Sequence, residues 1–213
     1  MITRNLSIIA VAFLTYLGVA CNQPAKNQLK PKAVKKAEVH SKTEAFDNVK
    51  LAKQHIDSLT KDTSGLIVLV KVPGKDKLVL VKGKNYPEQI ETTYNLYKNK
   101  AGKIIYTVEV PFSESGDWFI VYKSYFDITG KLFAFTREAN FFNSECTPEE
   151  GDVAHELLTK YYNKDFKVVD SVYKLKDSKG KDLKKPNCAF NYNYPYKIAK
   201  TADEWLKANH LGH

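Results

Sequence analysis

The chain has 213 residues, with 33 lysines and arginines against 24 acidic side chains and a formal net charge of +9. The excess lies mainly in residues 22–42, where six lysines accompany one glutamate, whereas residues 43–213 carry only +3. A nearly balanced body of this length suits one domain with a sizeable core and argues against nucleic acid as a partner.

The first twenty residues have the pattern of a signal peptide. Arg4 precedes an apolar run from Leu6 to Leu17, and the small residues Gly18 and Ala20 follow. The run is about twelve residues long, shorter than the roughly 20 that a membrane-spanning helix needs. We therefore expect export and removal of residues 1–20. Ordinary signal peptidase would release a soluble periplasmic or secreted protein that begins at Cys21.

The segment Leu17-Gly18-Val19-Ala20-Cys21 resembles the lipobox of bacterial lipoproteins, with its leucine four positions before the cysteine instead of three. The resemblance implies that Cys21 is lipid-modified and begins the mature chain. It also implies anchoring in the cell envelope, with the outer membrane as the expected site. Residues 21–42 would then form a flexible, lysine-rich tether, which either lies along anionic lipid headgroups or acts as a solvated spacer.

The cysteine count fits that implication. The chain has Cys21, Cys146 and Cys188, and lipidation of Cys21 leaves a pair that an oxidising compartment can join. Such a disulfide would close a loop of about 43 residues and stabilise the fold by roughly 4 kcal/mol in the chain-entropy model. Two separate buried thiols are the alternative. Neither cysteine lies in a C-x-x-C pair, so we predict no metal site.

Two helices are predicted to bracket the body. Ser41-Lys42-Thr43-Glu44 has capping-box spacing, and the apolar residues Phe46, Val49, Ala52, Ile56 and Leu59 then follow at helical intervals, with an end near Thr60 to Gly65. A second capping box, Thr201 to Glu204, precedes a short C-terminal helix that directs Trp205 and Leu206 inward.

The residues between these helices are typical of strands joined by tight turns. Asn99, Asp127 and Asp177 each precede a Gly-Lys pair by three residues, and Asn163 begins a fourth copy in which Phe166 replaces the glycine. Asx side chains and glycine favour such turns. The spacing predicts about eight long strands in an antiparallel meander, interrupted by a loop at Asn143 to Gly151. We expect an α+β domain at residues 43–213, with a twisted, strongly curved sheet.

Both faces of this sheet are predicted to be apolar. In Trp118 to Phe126 the two alternating sets are both largely apolar or aromatic, and two short helices can shield only part of one face. Either the sheet curls into a partial barrel or an aromatic surface stays open. The candidate binding surface consists of Tyr94, Tyr97, Trp118, Tyr122 and Tyr125. The alternative is that these tyrosines simply suit a half-buried sheet.

Candidate catalytic patterns are few, and we predict no enzyme and no cofactor. His155 and Glu156 begin an H-E-x-x-H pattern, but Thr159 replaces the second histidine and the segment is predicted to be a strand. His210 and His213 lie at the chain end. Glu149, Glu150 and Asp152 form an acidic cluster that is typical of a solvated loop.

Three classes of function therefore remain open. The first is a tethered interaction module for an envelope protein or glycan. The second is an amphiphile or lipid carrier, because a curved sheet under a helical lid resembles, in fold alone, the half-barrel lipoprotein-sorting carriers of the bacterial envelope. A carrier predicts an apolar cavity between the sheet and the Phe46 to Leu59 helix. The third is a hydrolase with a site built from loops.

Overall fold

The computed structural model describes residues 47–142, 145–147, 149–188, 190 and 194–211. Cys21, the tether, the first capping box, Phe46 and His213 lie outside these residues. Helix α1 covers residues 47–59, and α2 covers Ala202–Ala208. Short 3-10 turns occur at Thr63–Gly65 and Lys185–Asn187. The strands are β1 (Leu66–Lys71), β2 (Val79–Leu80), β3 (Thr92–Lys98), β4 (Ile104–Pro111), β5 (Trp118–Phe126), β6 (Leu132–Phe142), β7 (Val153–Tyr162) and β8 (Val168–Lys176).

The eight strands form one open, antiparallel, curved sheet in the order β2-β1-β3-β4-β5-β6-β7-β8. The predicted α+β class, the number of strands and the meander are confirmed. The meander is regular from β3 to β8, whereas β2 pairs with the outer side of β1 through Leu69 with Leu80 and Val70 with Val79. With only two residues, β2 is much shorter than the long strands that the turn spacing predicts.

The four repeated turns have one backbone pattern. In the β5–β6 turn, Asp127 donates its N–H to the Lys131 carbonyl at 2.9 Å, and its Oδ1 accepts from the Thr129 and Lys131 N–H groups at 2.8 and 3.0 Å. The glycine of this turn, Gly130, has a φ of 81°. Phe166 adopts the same left-handed region at 59°, and its ring stacks on Tyr162 at 4.7 Å.

Three of these turns, at Asn99, Asp127 and Asn163, lie at the same end of the sheet, because antiparallel strands alternate in direction. We call this the turn end. A register shift immediately precedes each turn, at Tyr97/Lys98, Tyr125/Phe126 and Tyr161/Tyr162. Such bulges bend the strand and increase its twist. The sheet is therefore distorted at three neighbouring hairpins of one end.

Helix α1 packs on one face of the sheet, which we call the helix face. Ile56 of α1 joins a buried cluster with Ile105, Tyr106, Val121, Tyr125 and Phe133. The opposite, C-terminal face buries Ile120, Tyr122, Phe135 and Phe141 in a cluster that also contains Leu183, Phe190, Ile198 and Trp205. Both faces are thus covered, as their apolar patterns require.

The cover of the C-terminal face was only partly predicted. Besides α2, the described residues between Leu183 and Lys200 form a segment with little regular structure on this face, where Phe190 stacks on Phe141 at 4.2 Å and Tyr196 stacks on Tyr122 at 4.7 Å. The Tyr122 hydroxyl donates to the Tyr194 carbonyl at 2.7 Å. The sequence predicted a partial barrel or an open aromatic surface and did not reveal this cover, because its separate aromatic contacts have no periodic pattern in the sequence.

The predicted pair Cys146 and Cys188 lies at disulfide distance, with 2.08 Å between the sulfur atoms and 4.6 Å between the Cα atoms. It joins the β6–β7 connection to the segment that covers the C-terminal face. The segment continues into α2, where Thr201 caps the helix by accepting the Glu204 N–H at 3.1 Å and Trp205 is buried edge-on to Tyr94. In the described chain, neither helix is long and apolar enough to cross a membrane.

Candidate functional site

A cavity of about 1290 Å³ lies between α1 and the turn end of the sheet. The apolar side chains of its lining come from α1, from the strand ends and from the turns. They are Val49, Ala52, Ile56, Leu59, Tyr97, Ile105, Phe126, Ile128, Leu132, Phe133, Tyr162 and Val169. The polar lining consists of Asn48, His55, Asn99, Lys100, Asp127, Lys131, Asn163 and Lys164. The cavity is therefore an apolar recess with polar groups contributed mainly by the three turns.

Helix α1 covers this cavity without filling it. Ile56 is only 6% exposed, but Ala52 is exposed and Leu59 keeps 38% of its surface accessible. A fully packed amphipathic helix would bury its apolar stripe against the sheet. Here the stripe is buried at Ile56 and is still open on both sides of it, towards the cavity.

A polar contact fixes α1 to the sheet beside Ile56. The Tyr125 hydroxyl donates to Asp57 Oδ1 at 2.7 Å, and Lys53 Nζ lies 2.7 Å from Asp57 Oδ2. Lys53 also lies 4.7 Å from the centre of the Tyr125 ring. Burial raises the pKa of Tyr125 well above its ordinary value, so this hydroxyl remains protonated and remains a donor.

Removing the Tyr125 hydroxyl should loosen α1. Hydrogen bonds to charged groups contribute about 1.5–3 kcal/mol, so Tyr125→Phe should speed amide hydrogen exchange in residues 47–59 by roughly tenfold or more. Tyr173→Phe is the matched control, since it removes a hydroxyl that donates to the Glu156 carboxylate on the opposite face. If exchange in α1 were equally fast in both variants, the contact would not hold the helix.

The five residues of the predicted binding surface do not form one exposed surface. Tyr94, Tyr122 and Tyr125 are at most 6% exposed, with Tyr94 under Trp205 and Tyr122 under Tyr196. Trp118 is part-buried beside Tyr194, with 6.1 Å between the ring centres. Tyr97 lies on the helix face and lines the cavity. These five side chains are therefore buried or part-buried and lie on opposite faces of the sheet, instead of forming one open aromatic surface.

The C-terminal face contains a buried ionic cluster. Arg137 Nη1 pairs with Glu156 Oε2, while Glu156 Oε1 accepts the Tyr173 hydroxyl at 2.9 Å and lies 3.6 Å from Lys185 Nζ. The Arg137 guanidinium also lies 5.9 Å from the ring centres of Phe141 and Tyr196. Because both carboxylate oxygens are already engaged, the arrangement holds strands and cover together and offers no free base.

Glu109 is the contrasting carboxylate of that face. It is part-buried on β4, opposite both Tyr94 and Tyr122, and it makes no ion pair or hydrogen bond within the described chain. Burial raises the pKa of Glu109 above its ordinary value of 4.5. The native state therefore retains the proton to higher pH than the unfolded chain does.

The raised pKa of Glu109 predicts how this residue changes the stability of the fold with pH. The folded state holds the Glu109 proton more tightly than the unfolded chain does. The stability that this proton contributes is therefore fully present below about pH 4.5 and is lost as the pH rises through the folded pKa. Glu109→Gln should therefore raise the free energy of unfolding at pH 7 and have a smaller effect at pH 4, measured by urea denaturation. Glu88→Gln, at an exposed position, is the control. A loss of stability at pH 7 would mean that the carboxylate has a favourable partner.

The other sequence candidates occupy separate places. His155 and Glu156 lie on strand β7 and so point to opposite faces, with His155 Nδ1 2.7 Å from Asn140 Oδ1. Glu149 pairs with Lys179, and Asp152 accepts the Val153 N–H at 2.7 Å. Among the residues described, no group of three or more His, Cys, Asp or Glu side chains is placed to bind a metal.

Sequence reasoning missed Lys100, Lys131 and Lys164, which line the cavity. The available signal was the turn repeat itself, because alternate turns of a meander meet at one end of the sheet. Comparisons with protein-family models, with curated proteins and with solved structures found no match to this chain.

Proposed function

We propose that this protein binds the hydrocarbon chain of an amphiphile in the cavity beneath α1. The observation that supports this function is the size and lining of the cavity, about 1290 Å³ between α1 and the sheet. Protein interiors are close-packed and contain few voids larger than a water molecule. Pockets for small ligands commonly measure about 300–1,000 Å³ and are mostly apolar. A ligand site therefore explains a recess of this volume and lining better than a packing defect does.

The position of α1 supports the same function. Ile56 and the Asp57–Tyr125 contact attach the helix at its middle, while Ala52 and Leu59 leave apolar surface open towards the cavity. A hydrocarbon chain in the cavity would complete the burial of that surface, which is favourable by about 25 cal/mol per Å². The helix thus acts as a lid over the bound chain.

A titration with neutral chains tests this proposal. The apolar fluorophore N-phenyl-1-naphthylamine serves as the reporter, and octanol, decanol and dodecanol compete with it for the purified full chain. Each buried methylene contributes about 0.8 kcal/mol, so affinity should rise about fourfold per methylene. No displacement, or affinity that does not depend on chain length, would contradict the proposal.

A pair of matched variants assigns the binding to the cavity. Ala52 lines the cavity, whereas Gln54 is exposed on the same helix and is not part of the lining. Ala52→Glu and Gln54→Glu add the same charge, but only Ala52→Glu places a carboxylate in the cavity where the hydrocarbon chain would bind. Because burying an unpaired charge is costly, Ala52→Glu should weaken dodecanol binding at least tenfold, and Gln54→Glu should leave it unchanged.

An interaction module is a second candidate, supported by a different surface. Phe112, Phe119 and Phe142 are 59%, 51% and 46% exposed. Phe119 lies opposite Asn140, and Phe142 follows two residues later on the same face, so these two rings are diagonal neighbours. Crosslinking in cells tests this candidate. Loss of a crosslinked partner in the double variant Phe119→Ser with Phe142→Ser, but not in Tyr86→Ser, would support an interaction module. The same crosslinked partner in both variants would contradict it.

We also propose that the chain is exported and attached to the envelope membrane through Cys21. The lipobox resemblance and the lysine-rich segment at residues 22–42 support this location. Cys21→Ala should move the protein from the membrane fraction to the soluble fraction. Recovery of native protein with an unmodified Cys21 in the soluble fraction would contradict anchoring.

A further inference from the structure

Three lysines surround the cavity at the turn end of the sheet. Lys100 lies in the β3–β4 turn, Lys131 in the β5–β6 turn and Lys164 in the β7–β8 turn, and all three line the cavity. We call them the rim lysines. Their convergence follows from the fold, because every second connection of an antiparallel meander returns to the same end. Three hairpins thus each contribute one cation beside one apolar recess.

The turns that carry these lysines have well-defined backbones. Asn99 Oδ1 accepts the Lys103 N–H at 3.0 Å, and Asn163 Oδ1 accepts the Lys167 N–H at 2.9 Å, as Asp127 does in its own turn. The rim lysines therefore extend from fixed positions.

The charge of the rim lysines is not balanced locally. None of the three forms an ion pair in the described part of the chain. Among the described lining residues, Asp127 is the only carboxylate, so the lining holds one negative charge against the three positive charges of the rim lysines. The cavity therefore combines apolar walls with a positively charged rim.

We infer that the bound amphiphile has an anionic headgroup, which the rim lysines recognise while its chain occupies the cavity. This inference rests on the proposed function and adds the chemical class of the ligand. A carboxylate and a phosphate share the required charge. Lysine binds either anion as a point charge, without the fixed bidentate geometry that arginine imposes.

Chains of equal length with different headgroups test the inference. Dodecanoate and dodecanol compete with N-phenyl-1-naphthylamine for the purified full chain at about pH 8, where the carboxylate is ionised. At about 0.01 M salt, we expect dodecanoate to bind about tenfold more tightly than dodecanol, with a smaller preference at about 0.15 M because salt screens exposed charges. Dodecyl phosphate, titrated in parallel, distinguishes a phosphate from a carboxylate ligand. Tighter binding of either anion than of dodecanol supports the inference.

The turns also provide a matched control. The test variant replaces Lys100, Lys131 and Lys164 with glutamine, and the control variant replaces Lys103, Lys167 and Lys181, which belong to the same kind of turn and do not line the cavity. Both variants lose three positive charges. We expect the test variant to bind dodecanol as before and to lose its preference for dodecanoate, while the control variant keeps that preference.

The outcomes separate this inference from the proposed function. If the native protein bound dodecanol and dodecanoate equally, recognition of an anionic headgroup would be overturned. The proposal that the cavity binds a hydrocarbon chain would stand. An equal loss of preference in both variants would also overturn it, because net charge and not the rim would then be responsible. If neither ligand displaced the reporter, the proposed function itself would fail.

Discussion

Replacing Arg137 with alanine should lower the free energy of unfolding by about 3–5 kcal/mol. The side chains of Arg137 and Glu156 are only 7% and 2% exposed, so the variant leaves a carboxylate buried without its main counter-charge. Tyr173 and the more distant Lys185 remain beside Glu156 and place the expected loss towards the lower end of this range. The measurement is urea denaturation at pH 7.

A neighbouring ion pair provides the control. Lys123 lies 2.6 Å from Glu138 across β5 and β6, but these side chains are 24% and 44% exposed, so Lys123→Ala should cost at most about 1 kcal/mol. The double variant Arg137→Met with Glu156→Leu removes both charges and should recover most of the stability lost in Arg137→Ala. Equal losses in Arg137→Ala and Lys123→Ala would contradict the assignment of a buried, desolvated pair.

Loss of the Cys146–Cys188 pair is the second large expected effect. Cys146→Ser with Cys188→Ser should lower the free energy of unfolding by about 2–5 kcal/mol, because the pair closes a loop with a sequence separation of 42 residues. It also holds the cover of the C-terminal face near Phe141 and Phe190. Amide exchange should therefore accelerate most in residues 183–188 and in α2.

Reduction supplies an independent check of this effect. A thiol reductant should destabilise the native protein to about the level of the double serine variant and leave that variant unchanged. If reduction did not alter the stability of the native protein, the two cysteines would not be joined in solution.

The features that were predictable from the sequence depend on local chemistry. Each turn requires only an Asx residue, two spacers and a residue that tolerates a left-handed backbone, so Asn99, Asp127 and Asp177 were readily identified. Thr201 and Glu204 mark the start of α2 for the same reason, since both cap contacts occur within one turn of helix. The number of strands then followed from the spacing of the turns.

The features that could not be predicted depend on contacts between distant residues. Arg137 and Glu156 meet because the β6–β7 register places Arg137 opposite Leu158 and Glu156 opposite Ala139, which makes the two charges diagonal neighbours on one face. Tyr196 covers Tyr122 from a segment without periodicity. Alternating aromatic residues look the same in sequence whether such a segment covers them or a partner does.

The cavity illustrates both cases. A recess beneath the first helix was expected for a carrier, but its lining could not be derived, because it combines α1 with the ends of three hairpins. The rim lysines belong to turns that the sequence did reveal. Their common position became apparent only with the sheet order.

The most direct test of hydrocarbon binding in the cavity is photolabelling with a long alkyl chain that carries a terminal diazirine, followed by peptide mass spectrometry. We predict adducts in residues 47–60, 97–105 and 126–133, which contribute Ala52, Ile105 and Phe133 to the cavity. Labelling should fall in Ala52→Glu and persist in Gln54→Glu. Adducts confined to residues 183–211 or to the surface around Phe119, with no difference between these variants, would contradict a chain-binding cavity beneath α1.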